Sequence, residues 1–138
     1  MFKTPKTEKT LLLRSDYSDD SAWKELCRLV EAPSEDDFRA NLTFVEDPEL
    51  VNKSVAELMA IVDGGDYQSF FFVADEEAIH GPEHTVLVVA LDDQRGRTFR
   101  VIPAHMWSVE NNLSLANMDF EEFAESVDSE GVFRGFSG

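Results

Sequence analysis

Two almost uninterrupted apolar runs, "SFFFVAD" at residues 69–75 and "TVLVVALD" at 85–92, limit what this chain can fold into. A strand with one face in water alternates apolar and polar residues, whereas a strand covered on both faces reads as a continuous apolar run. "TLLLRSD" at 10–16 is a third run of the same kind. A sheet built from such strands needs a layer on each side, and the intervening segments have to supply both layers.

Those segments carry the spacing for it. In "YSDDSAWKELCRLVEAP", Trp23, Leu26, Cys27 and Val30 recur at helical intervals, with Asp19, Asp20 and Ser21 where the free N–H groups of a helix start favour them, and Pro33 closes the pattern. "SEDDF" at 34–38 suggests one more helical turn, and "ANLTFVED" alternates as a strand. "NKSVAELMAIVDGGD" is the clearest helix. Ser54 and Glu57 form a capping box, Val55, Leu58, Met59 and Val62 make the stripe, and Gly64 or Gly65 ends it. "EEAIHGPEH" reads as a loop between two strands, and "DDQRGR" as a turn leading into "TFRVI", so that the last two long strands form an antiparallel hairpin.

After Pro103 the pattern is irregular or briefly helical. "SVENNLSLANMDFEEF" divides into a turn-rich half reaching Asn117 and a helix with Phe120, Phe123, Ala124 and Val127 inward. Asn111, Asn112 and Asn117 tolerate left-handed backbone. Asn117 or Asp119 caps the last helix, Leu113, Leu115 and Met118 dip into the core, and "GVFRGF" offers a short final strand. The expected fold class is α/β: one three-layer sandwich, strands 1–3 parallel through right-handed crossovers, an antiparallel hairpin at one edge, and flanking helices. Residues 1–9 read as a flexible segment and 10–138 as the single domain, a size that supports one core.

Charge then narrows the partners. Twenty-eight Asp and Glu against twelve Lys and Arg leave −16, while 43% apolar residues keep the chain among globular proteins. Such a field repels phosphate backbones and anionic lipid and attracts basic partners, so neither nucleic acid nor membrane is expected. One cysteine, Cys27, allows no intramolecular disulfide, and the first apolar run is too short for a signal peptide or membrane span; a cytoplasmic setting is expected.

Candidate chemistry is sparse. Asp16, Asp47 and Asp75 end the three parallel strands, the edge where open α/β sheets bind ligands, and carboxylates there suit Mg²⁺ or Ca²⁺. Aspartates also start turns and cap helices, which accounts for the same positions without a metal. His80 and His84 in "HGPEH" are four apart, but Gly81 and Pro82 prevent one helix from presenting both to zinc. Cys27 lies on an apolar stripe, where a thiol is inert. No phosphate-binding Gly-rich loop and no G-x-S-x-G elbow accompany a nucleophile. Arg95, Arg97 and Arg100 form a basic cluster, with Arg97 and Arg100 candidates for an anionic ligand, unless they pair with acids such as Asp92 and Asp93. Trp107, Glu110, Asn111 and Asn112 are the candidate polar pocket or partner-binding ledge, against a structural corner that satisfies buried backbone.

"MWSVENNLSLANMDFEEFAE", with "LLLRSDYSDDSAWKEL", "HTVLVVAL", "GRTFRVIP" and "GVFRGF", resembles a family of small uncharacterised bacterial proteins, a domain of unknown function frequent in actinobacteria. The resemblance implies a free-standing α/β domain and carries no activity, cofactor or catalytic residue. Without an assembled catalytic set, the expected function is a non-enzymatic acidic module that binds a basic protein, of immunity or inhibitor type. The alternative is a divalent-metal-dependent hydrolase or small-ligand-binding domain using Asp16, Asp47 and Asp75. The oligomeric state is not written in the sequence.

Overall fold

The computed structural model describes residues 4–63 and 68–136. Strands β1 (Thr10–Arg14), β2 (Leu42–Val45), β3 (Phe70–Ala74), β4 (Val86–Ala90), β5 (Thr98–Val101) and β6 (Val132–Phe133) form one sheet in the order β2-β1-β3-β4-β5-β6. β1 pairs parallel with both β2 and β3, while β3–β4 and β4–β5 are antiparallel. The hairpin from Val86 to Val101 is thus as expected, but it does not form the edge. β6 pairs parallel with β5 outside it.

Every residue of β1 and β3 is buried, as their unbroken apolar runs require. Helices α1 (Asp20–Glu31), α3 (Glu76–His80), α4 (Met106–Ser114) and α5 (Phe120–Ala124) supply the buried residues that pack with Leu12, Phe70, Phe72 and Val88 on one face. Helix α2 (Val55–Asp63) and a short 3₁₀ turn at Pro48–Leu50 cover Leu11, Leu13, Phe71, Val73 and Val89 on the other. The capping box of α2 is present, with Glu57 N–H donating to Ser54 Oγ and Ser54 N–H to Glu57 Oε1. Its proposed glycine stop, Gly64 or Gly65, lies outside the described residues. Asp19 caps α1 by accepting from Ala22 N–H.

Four local expectations are corrected. "EEAIH" is not loop but helix α3, because Asp75 accepts from Ala78 N–H and starts a turn that ends at Gly81. The "SEDDF" stretch is a tight turn with Asp37 at φ 65°, not a helical turn. Residues 106–114 are helical rather than turn-rich, with Met106, Val109 and Glu110 buried along one face. Leu115 does not enter the core; it is 70% exposed.

The end of α4 accounts for that exposure. Asn117 N–H donates to Asn112 O and Ala116 N–H to Leu113 O, the paired bonds of a Schellman stop. The left-handed residue is Ala116, at φ 57°, rather than any of the asparagines. Such a backbone costs a residue with a Cβ about 1 kcal/mol. Asp119 then caps α5 with Glu122 in a capping box, and the helix stops at Ala124; Val127 packs on the core from beyond it. Of the N-terminal segment, residues 4–9 form no regular element, but Thr4 is buried and Thr7 Oγ1 lies 2.9 Å from Thr43 Oγ1 on β2.

Near β6, Gly135 has φ 100°, and a Cβ there would sit 2.8 Å from His105 Cε1, so the second glycine of "GVFRGF" answers to both backbone and space. Arg134 holds this segment down through ion pairs to Glu83 and Asp128.

Candidate functional site

The carboxyl edge of the parallel strands is organised around Arg14. The last residue of β1, its side chain is 2% exposed, with Nε donating to Asp16 O at 2.8 Å and Nη2 to Asp20 at 2.8 Å; Glu46 stands 3.7 Å from Nη1. The guanidinium carbon lies 4.3 Å from the centroid of the Tyr17 ring and 5.2 Å from that of Trp23. Cation–π contact and ion pairing together make this interior position tolerable for a charge. Trp23 Nε1 donates to Glu46, and Tyr17 Oη accepts from Asp47 N–H at 2.7 Å while donating to Asp47 O at 2.9 Å. The edge expected to bind a metal is thereby laced together by internal polar contacts.

Asp16 and Asp47 lie two residues beyond the ends of β1 and β2, and Asp75 directly follows β3; each has an internal partner. Asp47 caps the 3₁₀ turn by accepting from Glu49 N–H. Asp75 caps α3 and pairs with Arg100, whose Nη1 also donates to Thr85 O at 2.9 Å. Asp16 accepts from Ser18 N–H at 2.9 Å and from Ser18 Oγ. Burial raises the Asp16 carboxyl, but the Ser18 hydrogen bonds, His80 and Arg14 outweigh it, and the group sits below its usual range. Among the described residues no three His, Cys, Asp or Glu side chains are grouped so as to hold a metal ion.

Ser18, His80 and Asp16 come together at this edge. Ser18 Oγ is 2.6 Å from His80 Nε2 and also donates to Asp16. The direction of the Ser18–His80 bond follows the His80 tautomer, while Asp16 accepts from the Ser18 hydroxyl when its proton turns that way. His84 is not beside His80 on the helix; it follows the α3 stop at φ 52°, with Nδ1 2.9 Å from Ala78 O.

Cys27 is half-buried, and burial first, then Glu46 and Glu31, push its thiol up to about 11. Iodoacetamide at neutral pH is therefore expected to label the native protein far more slowly than the urea-unfolded chain, read by mass spectrometry; comparable rates would refute the protected thiol.

The basic cluster is dispersed among acids other than those expected. Arg95 pairs with Asp63, Arg97 lies 3.9 Å from Glu125 and donates to Gln94, and Arg100 takes Asp75.

The α4 segment divides its four candidate residues between two tasks. Glu110, 2% exposed, accepts from Thr10 Oγ1 at 3.2 Å, Asn41 N–H at 2.7 Å, Asn111 Nδ2 at 3.1 Å and Ser114 Oγ. It ties α4 to the amino ends of β1 and β2. Asn111 also donates to Arg39 O, and Asn112 to Ser108 O. Trp107 stacks on Phe38, with ring centroids 4.9 Å apart and planes 14° from parallel, and Phe38 is 47% exposed. Trp107, Asn111 and Asn112 are all partly exposed, in contrast to Glu110.

Sequence reasoning missed a cavity of about 250 Å³ at the amino edge of β3, under the α4–α5 corner. Phe70, Ala90, Leu113, Met118 and Phe120 line it with apolar surface, and Asp92, Asp93, Asp119 and Glu121 stand around it. The available signal was the acidic "LDDQ" turn, which the hairpin brings near "NMDFEE".

No helix among the described residues is long and apolar enough to cross a membrane. A search of curated proteins finds no match to the chain. The family model described as "Domain of unknown function (DUF6924)" matches residues 9–136, spanning every strand and helix of the sheet and its layers, and the chain belongs to that family.

Proposed function

We propose that this domain is a non-enzymatic, cytoplasmic acidic module that binds a basic protein, in the manner of an immunity or inhibitor protein. The observation that carries it is how the domain uses its own cations. All seven arginines, Arg14, Arg28, Arg39, Arg95, Arg97, Arg100 and Arg134, lie within 4.0 Å of a carboxylate of the same chain. The guanidinium groups are thus engaged internally, and the excess of sixteen acids is left to act on the surroundings. Long-range attraction of that kind speeds encounter with a positively charged surface and falls as salt screens it.

Capture on the immobilised domain from the native cell extract, followed by kinetics on the purified partner, tests this. The expected partner has a high pI, and its association rate falls at least about ten-fold between roughly 20 mM and 200 mM salt. Recovery of no partner at low salt, or an association rate indifferent to salt, would overturn the proposal.

A further inference from the structure

We infer that the cavity under the α4–α5 corner receives an arginine or lysine side chain of a protein ligand, with an apolar neighbour of that residue resting on Leu115. This rests on the acidic-module function and names the part of the surface that reads the partner.

The cavity has the two chemistries such a side chain needs. A long cationic side chain is an aliphatic stem ending in a charge, and it is bound best where the stem loses water while the head remains beside carboxylates. Phe70 and Phe120 are buried, and Leu113 and Met118 are partly buried, so the wall is apolar and fixed by the core behind it. Asp93 and Glu121 stand exposed at the same cavity. A volume of about 250 Å³ suits one side chain rather than a drug-sized ligand, for which sites start near 300 Å³.

Among the described residues, those that line the cavity include Asp93, Asp119 and Glu121 and no lysine or arginine, an imbalance that a cation would relieve. Glu121 and Glu125, one helical turn apart, share a hydrogen bond between their carboxyls, and this with their mutual repulsion raises the Glu121 pKa despite the influence of Arg97. Arg97 stands beside the rim, donating to the lining residue Gln94 and lying 3.9 Å from Glu125. The geometry of the lip points the same way. Ala116 holds its left-handed backbone where the chain leaves α4, leaving Leu115, its neighbour in the chain, 70% exposed. Leu115 directly precedes the cavity-lining Ala116, and an exposed apolar side chain at that point of the chain matches a ligand that pairs a basic residue with an apolar one.

Binding of the blocked peptide acetyl-Gly-Arg-Leu-Gly-amide to the full chain, followed by amide and methyl NMR shifts at low salt, tests the inference. Saturable shifts are expected at Ala90, Leu113, Ala116, Met118 and Phe120. The apparent affinity should fall about five-fold or more when Asp93→Asn and Glu121→Gln are combined, both exposed changes that leave the core untouched. The counterpart acetyl-Gly-Glu-Leu-Gly-amide should produce no such shifts. Shifts from the arginine peptide elsewhere on the acidic surface, with the cavity unmoved, would overturn the cavity assignment while leaving the acidic-module function standing. No shifts anywhere at low salt would count against both.

Discussion

Replacing Phe123 with alanine is expected to lower the stability of the domain by about 3–5 kcal/mol, the cost of removing a fully enclosed aromatic ring and leaving a void behind. Phe123 is 0% exposed, and its ring meets three others: Phe99 of β5 at 6.2 Å, Phe133 of β6 at 5.0 Å and Phe136 at 5.4 Å between centroids. β6 has only two residues in the sheet, so its attachment depends on this aromatic packing more than on backbone bonds. The damage should therefore be regional as well as global. Urea unfolding reads the total, and amide hydrogen exchange should show Ile102 N–H, which donates to Phe133 O, losing more protection than the amides of β1. A loss under about 1 kcal/mol would mean that the site collapses around the smaller side chain and that β6 is held by other means.

The Glu110→Ala variant is expected to lose about 1–3 kcal/mol, although it removes a negative charge from a protein that already carries too many. Relief of general repulsion is small and diffuse, whereas the donors around Glu110 are specific. Thr10 and Ser114 hydroxyls lie 3.3 Å apart and can turn to each other, and Asn111 Nδ2 keeps Arg39 O, but Asn41 N–H loses its acceptor. A part-buried donor left without a partner costs up to about 1–3 kcal/mol. Glu110→Gln keeps the shape and one carbonyl oxygen, and the adjacent hydroxyls can accept from its amide, so a smaller loss is expected. Equal losses for the two variants in chemical denaturation would show that the charge, not the acceptor count, stabilises this node. A stabilised Glu110→Ala protein would show that the site serves something other than the fold.

The parts of the fold that could be read in advance are those where one physical requirement dominates several adjacent residues. β1, β3 and β4 are buried on both faces and say so in unbroken apolar runs, and α2 announces its start with Ser54 and Glu57. α4 was misread because the residue at the centre of its buried face is Glu110. Met106, Val109 and Leu113 keep the helical interval, but a carboxylate on the stripe makes the pattern look like surface. α3 has five residues, too few to show periodicity, and its only cue is Asp75, a residue equally suited to a metal edge. The site was less readable still. Arg14 looks like the polar end of a strand, and only the packing of Tyr17 and Trp23 turns it into an interior anchor. The cavity under the α4–α5 corner joins residues from 69 to 121, and nothing local in the chain marks that meeting.

The strand order has a consequence for how the protein is made. β1 is the first strand synthesised, yet it occupies an inner position whose neighbours arrive only with Val45 and then with Ala74. Until both crossovers are complete, "TLLLR" has two bare edges and two bare faces, the form of a strand that pairs most readily with a wrong chain. The risk is one of timing: parallel pairing between distant segments is slow, so the nascent domain is most aggregation-prone while its later strands are still unmade or unfolded.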